Sequence, residues 1–223
     1  MNTSLERWPQ QLRDGLRQMG VDLSASQQQQ LLDYLALLHK WNKAFNLTAI
    51  RDANVMVSRQ LLDSLSILPF IKGPRILDVG TGPGLPGIPL AIALPDQQFV
   101  LIDSNGKKTR FVQQSLVTLG LGNVEVVRTR VEAYRSDAGF DTITSRAFAA
   151  LPKMLELTRH LLDERGRLLA MKGTVPTEEI AELEADGYGV AVVPLQVPNS
   201  DGQRHALLVE RTATAGGRDA DLG

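Results

Sequence analysis

The sequence predicts an α/β fold in which helices cover a mostly parallel sheet. In the second part of the chain, apolar runs typical of buried strands alternate with helix-like segments, and this alternation is typical of parallel strands joined by crossover helices. The last two apolar runs, 188–196 and 205–210, are joined by a turn-rich segment and predict an antiparallel hairpin. The chain is therefore predicted to divide into a helical extension packed on the main domain (1–70), a main domain (71–211) and a disordered tail (212–223).

Composition excludes several classes of protein. The 223 residues include no cysteine, so disulfides, thiolate metal sites and cysteine nucleophiles are excluded. No apolar run is long enough to span a bilayer, and the three histidines show no spacing that suggests a shared metal. We expect a cytoplasmic protein without a membrane or metal partner. Because the formal net charge is −1, any polyanionic partner must be bound by a local basic patch.

The first seventy residues carry helical signals. Ser24 or Ser26 can cap a helix. Its apolar positions recur every three or four residues: Leu31, Tyr34, Leu35, Leu38, Trp41 and Phe45. The four glutamines at 27–30 are predicted to form a solvated first turn without a function. A second helix is predicted over 54–68, and Pro69 and Lys72-Gly73-Pro74 form the connection to the first strand.

The later elements follow from apolar runs and capping residues. Five strands are predicted at 75–79, 99–102, 124–127, 140–144 and 167–171. A helix capped by Ser104 or Asn105 is expected to run to Leu119, because Gly120 or Gly122 can end it. Another helix is predicted to start at Pro176.

A glycine-rich loop follows the first strand, in the segment R-I-L-D-V-G-T-G-P-G-L-P-G at 75–87. Glycine lets a backbone turn sharply and lie against a ligand, so the loop predicts a nucleotide site. Three of the glycines also match the spacing G-x-G-x-x-G of dinucleotide-binding folds. A pyrophosphate requires free backbone N–H groups, however, and the prolines at 83, 86 and 89 supply none.

Two carboxylates flank this loop and favour a different nucleotide. Asp78, at the end of the first strand, would repel a pyrophosphate and would suit a ligand that carries an ammonium or sulfonium group. Asp103 ends the second strand, where a carboxylate can accept from ribose hydroxyls. The pattern therefore favours S-adenosylmethionine.

Cations follow the later strands. Arg128 and Arg130 come after the third strand, Arg146 after the fourth and Lys172 after the fifth. Because the carboxyl ends of parallel strands lie at one edge of a sheet, these cations are expected to ring that edge, and Arg204 can join them. Three further cations, at 107, 108 and 110, occupy the first turn of a helix, where they oppose its dipole and do not favour stability.

Several longer motifs resemble one family. They are W-N-K-A-F-N-L-T, L-L-D-S, D-V-G-T-G-P-G-L-P-G-I-P-L, L-I-D-S, K-K-T-R-F, R-V-E, S-R-A-F-A, M-K-G, and Q-V-P followed by G-Q-R-H. In this order, over roughly residues 40–210, they are similar to the bacterial ribosomal small-subunit methyltransferase G family, also called glucose-inhibited division protein B. That family methylates N7 of a guanine in the 530 loop of 16S rRNA. Its fold is the class I S-adenosylmethionine-dependent methyltransferase fold, a Rossmann-like seven-stranded sheet whose last strand is antiparallel.

The resemblance implies roles for individual residues. The methyl donor is expected to contact the loop at Gly80, Thr81, Gly82, Gly84 and Leu85 beside Asp78, and further residues at Asp103, Ser104, Val131, Glu132 and Arg146. The RNA-facing side is expected to include Asn46, Arg130, Phe148, Lys172 and Arg204. The implied partner is 16S rRNA, either free or within the 30S subunit or a precursor.

The residues that the sequence lacks narrow the chemistry. Methylation at C5 of a pyrimidine usually needs a cysteine, and methylation of exocyclic amines usually comes with an Asn/Asp-Pro-Pro-aromatic motif that is absent after the fourth strand. Guanine N7 is already an unprotonated acceptor, so in-line transfer needs mainly proximity and orientation. We therefore expect no essential general base, with Arg146 and Lys172 positioning the acceptor. Phe148 either stacks on a flipped base or packs in the core.

Two other functions fit parts of the pattern. A nicotinamide-dependent oxidoreductase would use the same glycine spacing. A non-catalytic RNA-binding or ribosome-assembly factor would keep the basic edge without methyl transfer. The sequence does not distinguish free rRNA, a precursor particle and the finished subunit as the substrate.

Overall fold

One mixed sheet forms the centre of the chain. In the computed structural model, which describes residues 3–146 and 149–212, seven strands lie in the spatial order β3-β2-β1-β4-β5-β7-β6. The strands are β1 (Arg75–Val79), β2 (Gln98–Ile102), β3 (Val124–Val127), β4 (Phe140–Arg146), β5 (Leu162–Lys172), β6 (Tyr188–Pro194) and β7 (His205–Arg211). The pairs among β1 to β5 are parallel, whereas β7 is antiparallel to both β5 and β6. The predicted sheet class, its antiparallel last strand and the hairpin are confirmed.

Strand bounds differ from the predictions mainly in β4 and β5. The fourth strand continues two residues beyond the predicted end and includes Arg146, and the fifth begins at Leu162, five residues early. The early part of β5 is polar and exposed, so no apolar run marked it. Arg146 and Lys172 are thus the last residues of their strands, and their positions are fixed by sheet hydrogen bonding.

The N-terminal segment is helical, as predicted. Its elements are α1 (Thr3–Glu6), α2 (Trp8–Met19), α3 (Ala25–Phe45), α4 (Ala53–Met56), a π-helical turn (Val57–Leu62), α5 (Asp63–Leu65) and a 3₁₀ turn (Leu68–Phe70). A capping box formed by Ser24 and Gln27 starts α3, and Asn46 ends it in a left-handed conformation. The single helix predicted over 54–68 is wrong in detail, because the π-helical turn interrupts it.

The glutamines at 27–30 are not simply solvated, as the sequence suggested. Gln27 donates to the carbonyls of Ile92 and Ala93, and Gln30 donates to the carbonyl of Leu119. These carbonyls lie at or near the ends of two helices that cover the sheet. The first two turns of α3 are therefore hydrogen-bonded to the helices that cover the sheet.

The remaining helices complete two layers around the sheet. They are α6 (Gly87–Ala93), α7 (Gly106–Leu119), a 3₁₀ turn (Val131–Ala133), α8 (Leu151–Thr158) and α9 (Thr177–Ala185). One apolar cluster joins α2, α3, α6 and α7 to one face of the sheet, and a second joins α8 and α9 to the other face. As predicted, α7 is capped by Asn105 and ends at Gly120.

The structure describes only the first residue of the predicted tail, and it allows the helices to be compared with the length of a membrane span. Thr212, the first residue of the tail predicted to be disordered, hydrogen-bonds to the carbonyl of Gly187, whereas residues 213–223 lie outside the described residues. Within the described residues, none of the helices combines the length and apolar character needed to cross a bilayer.

Candidate active site at the carboxyl edge of the sheet

The glycines of the loop after β1 have two different tasks. Gly82 has a positive φ of 61°, and a Cβ on it would meet nothing closer than a carbonyl oxygen at 3.9 Å. A Cβ on Gly84 would lie 2.5 Å from Cδ1 of Ile88, and one on Gly87 would lie 2.8 Å from Oδ2 of Asp78. The loop therefore has an open side at Gly82, while Gly84 and Gly87 allow internal packing. From the sequence alone, all of these glycines were predicted to let the loop lie against a ligand.

The start of α6 has no donor for a pyrophosphate. The Gly87 N–H donates to Oδ2 of Asp78 (2.9 Å), the Ile88 N–H donates to the carbonyl of Gly84 (2.8 Å), and Pro89 has no N–H. The first donors of this short helix are thus already used or missing. This geometry counts against the dinucleotide alternative.

Asp78 supports the loop from beneath. Its side chain is fully buried, and its Oδ2 also accepts from Oγ1 of Thr81 (2.6 Å), while its Oδ1 has no partner among the described residues. Burial raises the pKa of Asp78 to about 6, although the hydrogen bonds from Thr81 and Gly87 lower it. The carboxylate therefore lies behind the loop, and its contact with a cationic ligand stays a prediction.

Asp103 ties the end of β2 to the same loop. Its Oδ2 accepts from the Gly82 N–H (2.9 Å), and its Oδ1 accepts from the Asn105 N–H (2.8 Å). Beside it lies a cavity of about 380 Å³, which we call the loop cavity. Six of the predicted residues line it: Gly80, Asp103, Ser104, Arg130, Val131 and Glu132. Thr81, Gly82, Gly84 and Leu85 are outside its lining.

A second group of charges lies at the end of β4. Asp63, whose side chain is 5% exposed, accepts from Nη1 of Arg146 at 3.1 Å and from Nε of Arg204 at 3.1 Å. Arg146 also donates to Oε1 of Gln60 (2.9 Å) and to the carbonyl of Arg59 (3.2 Å). We call Asp63, Arg146 and Arg204 the Asp63 clamp. It joins the N-terminal helices, β4 and the approach to β7.

The clamp forms one wall of a cavity of about 280 Å³, which we call the arginine cavity. Lys172, at the end of β5, lines the same cavity and donates to the carbonyl of Ala149 (2.8 Å), with Glu179 3.8 Å away. Four cations therefore line this cavity: Arg59, Arg146, Lys172 and Arg204. Two of them are held in place by the carboxylate of Asp63.

The two cavities lie on either side of the junction between β1 and β4. The loop cavity is formed at the ends of β1, β2 and β3, and the arginine cavity at the ends of β4 and β5. Oγ of Ser145 in β4 donates to the carbonyl of Val79 in β1 (2.8 Å), which joins the two strand ends. The chain order reverses its direction across the sheet at this junction, the usual ligand position in open parallel sheets. Two ligands bound here would lie next to each other.

Other hollows lie away from the predicted residues. One of about 350 Å³ lies at the amino ends of the parallel strands, and one of about 490 Å³ lies between α8 and α9. Both include Leu155, Arg159 and Tyr188. In the part of the chain that the structure describes, no group of three or more His, Asp or Glu side chains is arranged to hold a metal ion.

Two of the residues predicted to face the RNA lie outside the arginine cavity, and a third is not among the described residues. Arg130 is exposed and lines the loop cavity, so the cations do not form one continuous ring. Asn46 lies in neither cavity; it ends α3, and its Oδ1 accepts from Nη2 of Arg51 (2.7 Å). Phe148 lies outside the described residues, so its two alternative roles stay predictions.

Sequence reasoning missed Asp63 and Gln60. The motif L-L-D-S was recognised as a similarity, but no role followed from it. Both side chains are buried, at the end of and within the π-helical turn, where their polar atoms face Arg146. A signal was present, because an acid and a glutamine interrupt a predicted apolar helix, although the sequence does not show which cation they meet.

Comparisons with known proteins agree with this arrangement. The model of the family described as rRNA small subunit methyltransferase G matches residues 27–207. The chain is 56% identical over 208 residues to the ribosomal RNA small subunit methyltransferase G of Marinobacter nauticus, covering 93% of this chain and 97% of that protein. It is 52% identical over 214 residues to the protein of the same name from Pseudomonas aeruginosa, covering 96% of this chain and all of that protein.

Solved structures with low sequence identity share the fold. A putative O-methyltransferase from Klebsiella pneumoniae has a TM-score of 0.59 at 16% identity, covering 81% of this chain and 90% of that chain. The precorrin-6y C5,15-methyltransferase of Geobacter metallireducens has a TM-score of 0.55 at 16% identity, covering 76% and 93%. Both are similar in fold alone, whereas the family match extends over most of the sequence. The chain belongs to the rRNA small subunit methyltransferase G family.

Proposed function

We propose that this protein transfers a methyl group from S-adenosylmethionine to N7 of a guanine in the 530 loop of 16S rRNA. The observation that carries the proposal is the pair of adjoining cavities at the junction of β1 and β4. One cavity has the glycine loop and an acid at the end of β2, and the other is lined by four cations. A nucleoside-type methyl donor suits the first cavity, and a polyanionic acceptor suits the second.

The loop cavity fits S-adenosylmethionine better than it fits a dinucleotide. Asp103, at the end of β2, is available to ribose hydroxyls through the lone pairs that Gly82 and Asn105 leave free. The start of α6 offers no pyrophosphate site, because its first donors are used within the protein. Gly80, Ser104, Val131 and Glu132, which line the cavity, would hold the rest of the nucleoside. When bound, this group supplies an electrophilic methyl on sulfur.

The glycine loop would then contact the donor from its open side. Gly82 leaves that side free, and Thr81 fixes the loop to Asp78. Gly84 and Leu85 shape the turn into α6, with the Leu85 side chain buried. We assign these residues to positioning and not to bond making.

The arginine cavity would hold the acceptor nucleotide. A hydrogen-bond donor on N7 would occupy the lone pair that attacks the methyl group, so the cations must bind elsewhere, at O6 of the base or at phosphates. The backbone positions of Arg146 and Lys172 are fixed, because each of them is the last residue of a strand in the sheet. Their task is to orient the guanine, and N7 needs no base to deprotonate it.

Asp63 has a positioning role in this scheme. By accepting from both Arg146 and Arg204, it holds two guanidinium groups that the Coulomb force would otherwise drive apart. The residues that line the cavity include four cations and one carboxylate, and Asp201 and Glu179 lie outside the lining at 3.6 and 3.8 Å from Arg59 and Lys172. Asn46, Arg130 and Phe148 stay proposed contacts of the RNA outside this cavity, and residues 1–70 and 71–211 stay the proposed parts of the chain.

The test is transfer of radiolabelled methyl from S-adenosylmethionine to 30S subunits and to protein-free 16S rRNA, followed by mapping of the modified nucleotide. Label at N7 of one guanine in the 530 loop is the expected result, and the better of the two substrates identifies the physiological form. No transfer to either substrate, with tight binding of S-adenosylmethionine retained, would favour a non-catalytic RNA-binding factor.

A further inference from the structure

Phe45 is an exposed aromatic residue at the end of α3. Among the described residues, three large apolar side chains are exposed, namely Phe45 (46%), Val117 (71%) and Val192 (37%), and Phe45 alone is aromatic. Its ring lies 5.3 Å from that of Trp41, which in turn lies 5.6 Å from the ring of Phe111 in α7. The exposed ring is thus the outer end of a row of aromatic side chains that is anchored in the core.

This row is fixed at its inner end. Phe111 is fully buried and also lies beside Tyr34, at 6.3 Å between ring centroids. Because aromatic contacts of this kind add to the free energy of burial, Trp41 is held in place from below. Phe45 therefore presents its ring from a rigid support, at little cost in side-chain entropy when a ligand binds.

Two lysines lie at the same end of the α3/α7 pair as the exposed ring. The helices α3 and α7 run antiparallel, because Gln30 donates to Leu119 at one end and Trp41 meets Phe111 further along. Phe45 is in the last turn of α3, and Lys107 and Lys108 are in the first turn of α7, so all three lie at the same end of this antiparallel helix pair. Lys108 also lines the loop cavity.

These lysines have no evident structural task. The start of α7 is capped by Asn105, whose Oδ1 accepts from the N–H groups of Lys107 and Lys108, and cations at this end oppose the helix dipole. Directly after Phe45, Oδ1 of Asn46 accepts from Nη2 of Arg51 (2.7 Å), which places that guanidinium near the end of α3. Within residues 3–146 and 149–212, none of these three cations forms an ion pair with a carboxylate.

We propose that Phe45, Lys107, Lys108 and Arg51 form a second contact surface for single-stranded RNA, in which an unpaired base stacks on Phe45 and neighbouring phosphates bind the cations. An exposed aromatic ring together with cations that have no carboxylate partner is typical of such surfaces. Lys108 places this surface beside the loop cavity, so it would bind nucleotides on the donor side of the target guanine. This inference rests on the proposed function for the identity of the RNA.

The test compares two substitutions of Phe45. Phe45→Leu keeps an apolar cover over Trp41 but removes the aromatic face, so we expect affinity for protein-free 16S rRNA to fall about 5- to 150-fold. Phe45→Tyr keeps the face and is expected to bind within about twofold of the wild type. Val117→Ala, at an exposed apolar position further along α7, is the matched control and should bind as the wild type does.

A third variant tests the phosphate contacts. Lys107→Gln should reduce the slope of log affinity against log salt concentration by about 0.7. The proposal is overturned if Phe45→Leu binds as tightly as the wild type, or if Phe45→Tyr loses as much affinity as Phe45→Leu. It is also overturned if the substitution weakens binding to intact 30S subunits but not to protein-free rRNA. That result would indicate a ribosomal protein as the partner. Wild-type methyl transfer, measured in parallel, reports separately on the proposed function.

Discussion

Replacing Asp63 by asparagine should weaken catalysis more than it weakens donor binding. The carboxylate accepts from two guanidinium groups at 3.1 Å, and the two arginine side chains are only 23% and 30% exposed. An amide retains one acceptor oxygen, so about one charge-assisted hydrogen bond is lost, at roughly 1.5–3 kcal/mol. If the same free energy is needed to orient the arginines, kcat/KM for 30S subunits falls about 10- to 150-fold.

The same substitution has an expected effect on stability. A loss of about 2 kcal/mol in a chain of this length lowers the melting temperature by roughly 4–8 °C. The matched control is Asp201→Asn, because Asp201 is 98% exposed and lies 3.6 Å from Arg59. An exposed pair of this kind contributes little, so the control should keep both its activity and its melting temperature.

Steady-state kinetics with 30S subunits, calorimetric binding of S-adenosylmethionine and thermal unfolding together decide the outcome. For Asp63→Asn we expect a large loss in kcat/KM. Affinity for S-adenosylmethionine should stay within about twofold of the wild-type value, because the loop cavity does not include the clamp. Unchanged kcat/KM with a lowered melting temperature would refute the positioning role. An equal loss in donor affinity would instead assign Arg146 to the donor, as the sequence suggested.

Three further predictions concern the loop. Tyr34→Phe removes the hydrogen bond from the buried Tyr34 Oη to the Pro83 carbonyl (3.0 Å). Affinity for S-adenosylmethionine, measured by calorimetry, should therefore fall several-fold, and the free energy of unfolding should fall by about 1–2 kcal/mol. Gly84→Ala places a methyl 2.5 Å from Ile88 in a backbone with φ 99°, and should lower the melting temperature even without ligand. The raised pKa of Asp78 means that the native state holds a proton that the unfolded state releases between about pH 4 and 6. Stability should therefore fall as pH rises through this window, by up to about 3 kcal/mol, and denaturant titrations should show no such contribution in Asp78→Asn.

The sheet could be predicted from the sequence because its central strands are buried on both faces. Strands of this type are continuous apolar runs, and the predicted bounds of β1 and β2 agree with the structure to within one residue. Glycine or asparagine at the ends of α3 and α7 made those helix ends predictable as well. Residues next to one another in the sequence were therefore sufficient to predict those strand bounds and helix ends that neighbouring residues determine.

The Asp63 clamp could not be predicted for the opposite reason. Asp63 is separated from Arg146 by 83 positions and from Arg204 by 141, and no periodicity or spacing rule connects them. The π-helical turn that precedes Asp63 is equally non-local in origin, because its buried face is fitted to neighbouring helices. Tertiary packing decides which buried charges pair. A single sequence therefore identifies the charged residues but does not show which of them are partners.

The N-terminal helices supply a support for each cavity. Tyr34 of α3 holds the glycine loop through Pro83, and Asp63 holds the arginines of the second cavity. The same helices share one apolar cluster with α6, α7 and the sheet, so removal of residues 1–70 would expose that face and release both supports together. A division of the chain at residue 70 is therefore a division in sequence and not between units that fold independently. We therefore expect substitutions that disturb the packing of these helices to affect both the glycine loop and the arginine cavity.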